Sequence, residues 1–245
     1  MQGRWHDPGN VIYWEAMRNR LMHAAFLLLT CALLPAHPLS GLYTYHTTAG
    51  DRSWEVRYRV VEDGGRLDIE VESTESRWEA VHAGTSTLLW RYEAGDLRIT
   101  TQWDPKRRVL HYLREQDTER EEKTHTLKKD LPFIQVFEFG LIPFITASSQ
   151  ERFTFYALRP ATGEVYEMEA RKQGEETLTV MGKEVRALKV TIRLAGLLSA
   201  FWKSTYWFDP ATGVMLRFEG TLSAGGPFLT RHLTGMAPVS LTPEG

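Results

Sequence analysis

The chain has 245 residues, 42% hydrophobic and 24% charged, with a formal net charge of −2; that is room for one large or two small domains of ordinary globular composition. Both signs of charge are spread along it, which excludes a broad basic field for nucleic acid and a strongly acidic tail. Its single cysteine, Cys31, excludes an internal disulfide and a multi-thiolate metal site.

Residues 1–40 differ from the rest. Leu21 to Leu34 is a run of fourteen residues without Asp, Glu, Lys or Arg, preceded by Arg18 and Arg20 and followed by Pro35 and Pro38. A basic start, a short apolar run and a helix-breaking exit follow the order of a secretory signal peptide. A membrane-spanning helix needs roughly 20 apolar residues, and a buried globular helix would not need these flanks. The expectation is an exported, periplasmic protein, cleaved after Ala36 or after Gly41, with no integral span in the mature chain. Met17 stands just before the basic pair, so residues 1–16 are open to being an over-extended gene start. Cys31 lies inside the apolar run behind Thr30, not behind a small residue at its end, and lipidation is the weaker reading.

From Gly41 the pattern has period two, the mark of half-buried strands. Trp54, Val56, Tyr58 and Val60 alternate with Glu55, Arg57 and Arg59, and Leu67, Ile69 and Val71 alternate with Asp68, Glu70 and Glu72. Asp63-Gly64-Gly65 between them reads as a hairpin turn. Leu97, Ile99, Thr101 and Trp103 continue the rhythm, and Trp103 to Leu110 contains an Asp-Pro turn without a glycine. Thr118 to Lys129 is polar on both faces, as a long solvated hairpin arm or a charged edge strand would be. Leu131 to Ala147 is almost wholly apolar, with Pro132 and Pro143 barring one continuous element.

Pro160-Ala161-Thr162-Gly163 then separates two β-forming runs, and Pro210-Ala211-Thr212-Gly213 does so again behind Asp209. Proline sets φ, glycine accepts the left-handed region, and Asp209 can bond back to the turn N–H groups. Phosphate gripping would need a helix to follow, whereas a strand follows each repeat, so both are turns. Val214, Leu216 and Phe218 are expected to face inward, with Arg217 and Glu219 facing water. Before the second repeat, Leu188, Val190, Ile192 and Leu194 alternate with polar residues, and Leu194 to Trp202 is a second apolar break.

One wet and one buried face per strand, with no long amphipathic helix between turns, points to an antiparallel sheet of consecutive hairpins. The predicted fold is mainly β. It is a strongly curved antiparallel sheet, either a half-barrel or two packed sheets, with one or two short helical pieces near Phe133–Ile145 and Leu197–Phe201. It forms one mature domain over 41–245, open to division into similar halves at about 41–130 and 150–236.

Chemistry-bearing patterns are absent from the sequence. The histidines are scattered with no metal-ligand spacing, so no metal or cofactor is expected. There is no G-x-S-x-G elbow, Walker loop or G-x-G-x-x-G. Carboxylates such as Glu70 and Glu72 read as a solvated face, and the tryptophans at strand spacing read as core. The two apolar segments are core filler or the lining of an apolar ligand site, and Phe133, Phe137, Phe139, Phe144, Phe201 and Trp202 are the lining candidates.

The C-terminal half carries a resemblance. Val180-Met181-Gly182, the run Val185 to Ile192, then Tyr206-Trp207-Phe208-Asp209, Gly213 and the run Met215 to Glu219 form a hairpin "G…A…V" leading to "YW-D…G…LR-E". This resembles exported Gram-negative proteins of the domain of unknown function 3108 type. More distantly, the chain is similar to periplasmic lipoprotein carriers, whose open half-barrel holds acyl chains. The match spans roughly Phe153 to Gly235 and offers no catalytic residue; the charged stretch Thr118 to Lys129 departs from the carriers. The resemblance implies a non-enzymatic envelope protein with an apolar or amphipathic ligand in the concavity. Alternatives are a structural or adaptor protein that binds an envelope partner by a strand edge or exposed patch, and a hydrolase with a site assembled from distant residues.

Overall fold

The computed structural model describes residues 39–222 and 225–239; the apolar run Leu21 to Leu34, Cys31 and the candidate cleavage point after Ala36 lie outside them. Fourteen strands form one antiparallel sheet that is not closed into a barrel. An eight-strand meander comes first: β1 (Gly41–Ala49), β2 (Arg52–Asp63), β3 (Arg66–Ser73), β4 (Arg77–Ala83), β5 (Ser86–Ala94), β6 (Leu97–Asp104), β7 (Val109–Gln116) and β8 (Glu119–Thr126). A six-strand meander follows: β9 (Arg152–Arg159), β10 (Glu164–Val180), β11 (Lys183–Leu194), β12 (Lys203–Phe208), β13 (Met215–Gly220) and β14 (Leu229–Ala237). The two are joined by β1 pairing with β14, so the order across the sheet is β8 to β1 and then β14 to β9. Of the two predicted architectures the single curved sheet is the one formed, and Thr118 to Lys129 contains its edge strand β8.

The alternation seen in the sequence is the alternation of faces. Val56, Tyr58 and Val60 are buried, as are Leu67, Ile69 and Val71 on the paired strand. Outward residues make cross-strand ion pairs such as Arg59–Glu70 at 3.2 Å and Arg77–Glu93 at 2.5 Å, each worth about 0–1 kcal/mol at such exposure. Val214, Leu216 and Phe218 are buried as expected, and so is Met215, whose carbonyl accepts from Tyr45 OH at 2.9 Å.

Both Pro-Ala-Thr-Gly segments are turns. Asp209 Oδ1 accepts from Ala211 N–H at 2.8 Å and Thr212 N–H at 3.3 Å. Asp104 Oδ1 does the same for Lys106 and Arg107 at 3.0 Å each, with Arg108 at φ 55° where the repeats have glycine. Gly163 needs its missing side chain twice over. Its φ is 65°, and a Cβ would meet the Tyr112 ring at 2.5 Å.

Leu131 to Ala147 crosses the concave face as a plug. Its proline-interrupted apolar run breaks into an extended piece and two short helices, α1 (Phe137–Gly140) and α2 (Ile142–Thr146), with Pro143 in the first turn of α2, where the missing N–H costs nothing. The extended piece hooks onto both meanders. Thr87 N–H on β5 donates to Phe133 O at 2.7 Å, and Ile134 N–H donates to Tyr156 O on β9 at 2.8 Å. Nearby, Lys123 Nζ and His125 Nε2 on β8 lie 2.6 and 2.8 Å from the carbonyls of Thr162 and Gly163.

Candidate functional site

Four of the six lining candidates come together in the plug. Phe133 packs on Trp103 of β6, Phe139 on Tyr43 and Tyr58 of β1 and β2, Phe137 on Phe155 and Tyr206 of β9 and β12, and Phe144 on Phe153 of β9. Phe133, Phe139 and Phe144 are buried and Phe137 is half-buried. The plug thus fills the concavity of the sheet with side chains of the chain itself. Phe201 and Trp202 lie elsewhere, at one rim of the sheet.

Beneath the plug is a polar cluster that no sequence motif announced. Arg231 of β14 points inward, 8% exposed, and donates to Thr47 Oγ1 at 3.0 Å, Tyr58 OH at 2.6 Å and Glu138 Oε1 at 3.4 Å. Tyr58 OH also donates to Glu138 Oε1 at 3.2 Å. Burial works against the Arg231 charge, but Tyr58 and Glu138 more than offset it and hold the guanidinium protonated. Burial pushes Tyr58 well above the ordinary phenol range, with Arg231 pulling the other way and Glu138 adding to the rise. Through Glu138, which both Tyr58 and Arg231 reach, the cluster pins α1 to the middle of the sheet. Glu138 is the one charge in Leu131 to Ala147 and Arg231 stands at an inward strand position; those two anomalies were the signal in the sequence.

His82 on β4 is a second buried polar group, 1% exposed, with Nε2 at 3.2 Å from Thr87 Oγ1 and, among the described residues, no partner for Nδ1. Thr87 Oγ1 also accepts from Gln135 N–H of the plug at 2.9 Å. Burial lowers the His82 pKa to about 4. Among the described residues, no group of three or more His, Cys, Asp or Glu is placed to hold a metal.

Two features remain open to a partner. A cleft of about 380 Å³ lies between the tip of the β10–β11 hairpin and β13–β14, with Leu178, Val180 and Met181 facing Arg217, Thr230 and His232. Burial, the neighbouring His46 and Arg217 together lower the His232 pKa; the two histidine rings are 5.4 Å apart. The other feature is the rim formed by the β11–β12 and β13–β14 loops. Leu197 (98%), Phe201 (73%), Leu222 (62%) and Phe228 (61%) are exposed there. The loops are tied together, since Trp202 Nε1–H and Ser204 Oγ–H both donate to Thr221 O, at 3.0 and 2.9 Å.

No family model matches the chain, and no curated protein matches it. Among solved structures it is similar to a beta-barrel-like protein of domain of unknown function DUF1849 from Brucella abortus. That likeness has a TM-score of 0.50 at 12% identity over 82% of this chain and 98% of that one. It is also similar to the hypothetical lipoprotein YmcC from Escherichia coli K12, with a TM-score of 0.39 at 13% identity over 97% of this chain and 100% of that one. The first likeness shows a shared beta-barrel-like fold. The "YW-D…G…LR-E" resemblance therefore finds support at the level of an uncharacterised β-sheet fold and not of one particular family. Among the described residues, no helix is long and apolar enough to cross a membrane.

Proposed function

We propose that the chain is a non-enzymatic, exported envelope protein that works by contact, its filled sheet serving as a mount for the rim of the β11–β12 and β13–β14 loops. One observation carries this reading: the concavity is occupied by the plug while four large apolar side chains stand exposed on two adjoining loops. Monomeric proteins rarely gather exposed apolar groups without a use for them. The non-enzymatic reading rests on the sequence, which carries no G-x-S-x-G elbow, Walker loop or G-x-G-x-x-G. The export reading rests on the leader-like run Leu21 to Leu34. Fractionation of cells making the full chain tests the proposal. The wild type is expected with the envelope, and a Phe201→Ser/Phe228→Ser variant is expected to shift to the soluble fraction; equal distribution of the two overturns it.

A second reading, binding of an apolar or amphipathic ligand, is favoured by the cleft of about 380 Å³, which falls in the size range of small-molecule sites. Its leucine and methionine wall facing Arg217 and His232 suits a molecule with an apolar body and an acidic end. A ligand in the concavity itself would have to displace Phe133, Phe139 and Phe144. Native mass spectrometry of protein purified from its own envelope separates the two readings. The bare polypeptide mass is expected for a docking protein, and a retained ligand would favour the second reading.

A further inference from the structure

We infer that the surface on which this rim docks is an anionic phospholipid bilayer. The inference rests on the docking reading above and names its partner. Its first support is the charge pattern of the two loops. Leu194 to Trp202 and Gly220 to Thr230 contain no Asp, Glu, Lys or Arg, and these segments present Leu197, Phe201, Leu222 and Phe228 to solvent. Apolar side chains carried singly on uncharged loop tips suit insertion among lipid headgroups and acyl chains.

The second support is independent and lies at the base of the same loops. The turn Gly196–Ala200 lies beside β10, β11 and the start of β12 and closes a shallow pocket of about 430 Å³, lined by Arg171, Gln173, Thr191, Arg193, Ser199 and Lys203. Arg193 stands directly opposite Lys203 across β11–β12, and Arg171 opposite Thr191 across β10–β11. Glu169 pairs with Arg193 at 2.6 Å; among the described residues Arg171 and Lys203 make no ion pair. Three cations against one carboxylate leave an excess of positive charge next to the apolar tips. Their long side chains can reach phosphates while the tips sit deeper, the arrangement in which basic residues at an interface hold anionic lipid. A free phosphate would use the cations and leave the four apolar tips without a role.

The test is co-sedimentation of the full chain with vesicles of equal parts phosphatidylglycerol and phosphatidylcholine, and with vesicles of phosphatidylcholine alone. Residues 1–38 are common to every variant, so differences between variants report the rim. The wild type is expected to favour the anionic vesicles, less so as salt rises. Leu197→Ser/Phe201→Ser is expected to lower partitioning about tenfold or more, for two apolar side chains returned to water. Arg171→Gln and Lys203→Gln are each expected to lower it about fivefold on anionic vesicles at low salt, with little change on phosphatidylcholine. All these positions are exposed or at the surface, and unchanged thermal melting confirms that the variants fold. Equal partitioning of wild type and variants overturns the inference, and so does full competition by inorganic phosphate. If no vesicle binding occurs while Phe201→Ser/Phe228→Ser still releases the chain from the envelope in cells, the bilayer is the wrong partner and the docking reading stands. If neither changes, both fall.

Discussion

Acidification below the ordinary histidine range should destabilise this protein through His82. In the unfolded chain a histidine binds its proton near pH 6.5, whereas burial lowers the folded value to about 4. A protonated His82 would carry an N–H on both ring nitrogens, and while Nε2 has Thr87 Oγ1 at 3.2 Å, Nδ1 has no partner among the described residues. Above pH 6.5 both states are neutral at this site and stability does not depend on it. As pH falls below 6.5 the unfolded state takes up a proton that the folded state refuses, and stability falls until the folded pKa is reached near 4. At about 1.4 kcal/mol per pH unit the whole interval amounts to about 3 kcal/mol. By pH 5 the loss is about 2 kcal/mol, or roughly 4–8 °C in melting temperature for a domain of this size. The measurement is thermal or urea unfolding from pH 7 to 4.5 on the wild type and on His82→Gln, which keeps polar groups at the site without a titrating ring. The difference between the two curves should open between pH 6.5 and 5. Parallel curves over that interval would refute the reasoning, because all other titrating groups are common to both proteins.

Other substitutions test the remaining supports of the fold. Glu138→Gln should cost about 3–5 kcal/mol in urea unfolding by leaving Arg231 buried without its countercharge, and Arg231→Met/Glu138→Leu should cost clearly less than the sum of the single changes. Gly163→Ala should cost about 2–4 kcal/mol, combining strain at positive φ with overlap on the Tyr112 ring; a cost below half a kcal/mol would mean that the ring moves aside freely. Arg108→Gly should raise stability by up to about 1 kcal/mol in the same assay, since a non-glycine residue is held in the left-handed region there.

How much of this was legible in the sequence depends on the range of the interaction. Strand faces follow from period two, and the turns follow from proline, aspartate and glycine; in both the determining atoms lie within a few residues of each other. Even the glycine-free turn at Asp104 was readable, because the aspartate does the same bonding as Asp209. The helical pieces near Phe133–Ile145 and Leu197–Phe201 were readable too, since the period-two alternation breaks there and prolines interrupt the first of them, and they appear as α1, α2 and the turn Gly196–Ala200. The partners of Arg231 and His82 were not readable. Glu138 and Thr47 come to Arg231 from distant parts of the chain, Thr47 by the pairing of β1 with β14 and Glu138 by the crossing of the plug. The two apolar segments looked alike in composition but have opposite fates. Residues 131–147 span from β8 to β9 and must cross the concave face, whereas 194–202 connect adjacent strands and are left at the rim.

The pairing of β1 with β14 also sets a schedule for folding. Every other ladder in the sheet joins strands adjacent in sequence, so each meander can zip up from its own hairpins as soon as it is made, with little loop-closure entropy to overcome. The β1–β14 ladder joins Leu42 to Ala237 and Thr48 to Thr230, nearly the full length of the described chain. Until β14 exists, β1 presents an open edge on a sheet already eight strands wide, the kind of edge that recruits foreign strands. A chain cut short anywhere before Leu229 would keep that edge for good, which makes the last strand the one whose loss turns an orderly intermediate into an aggregating one.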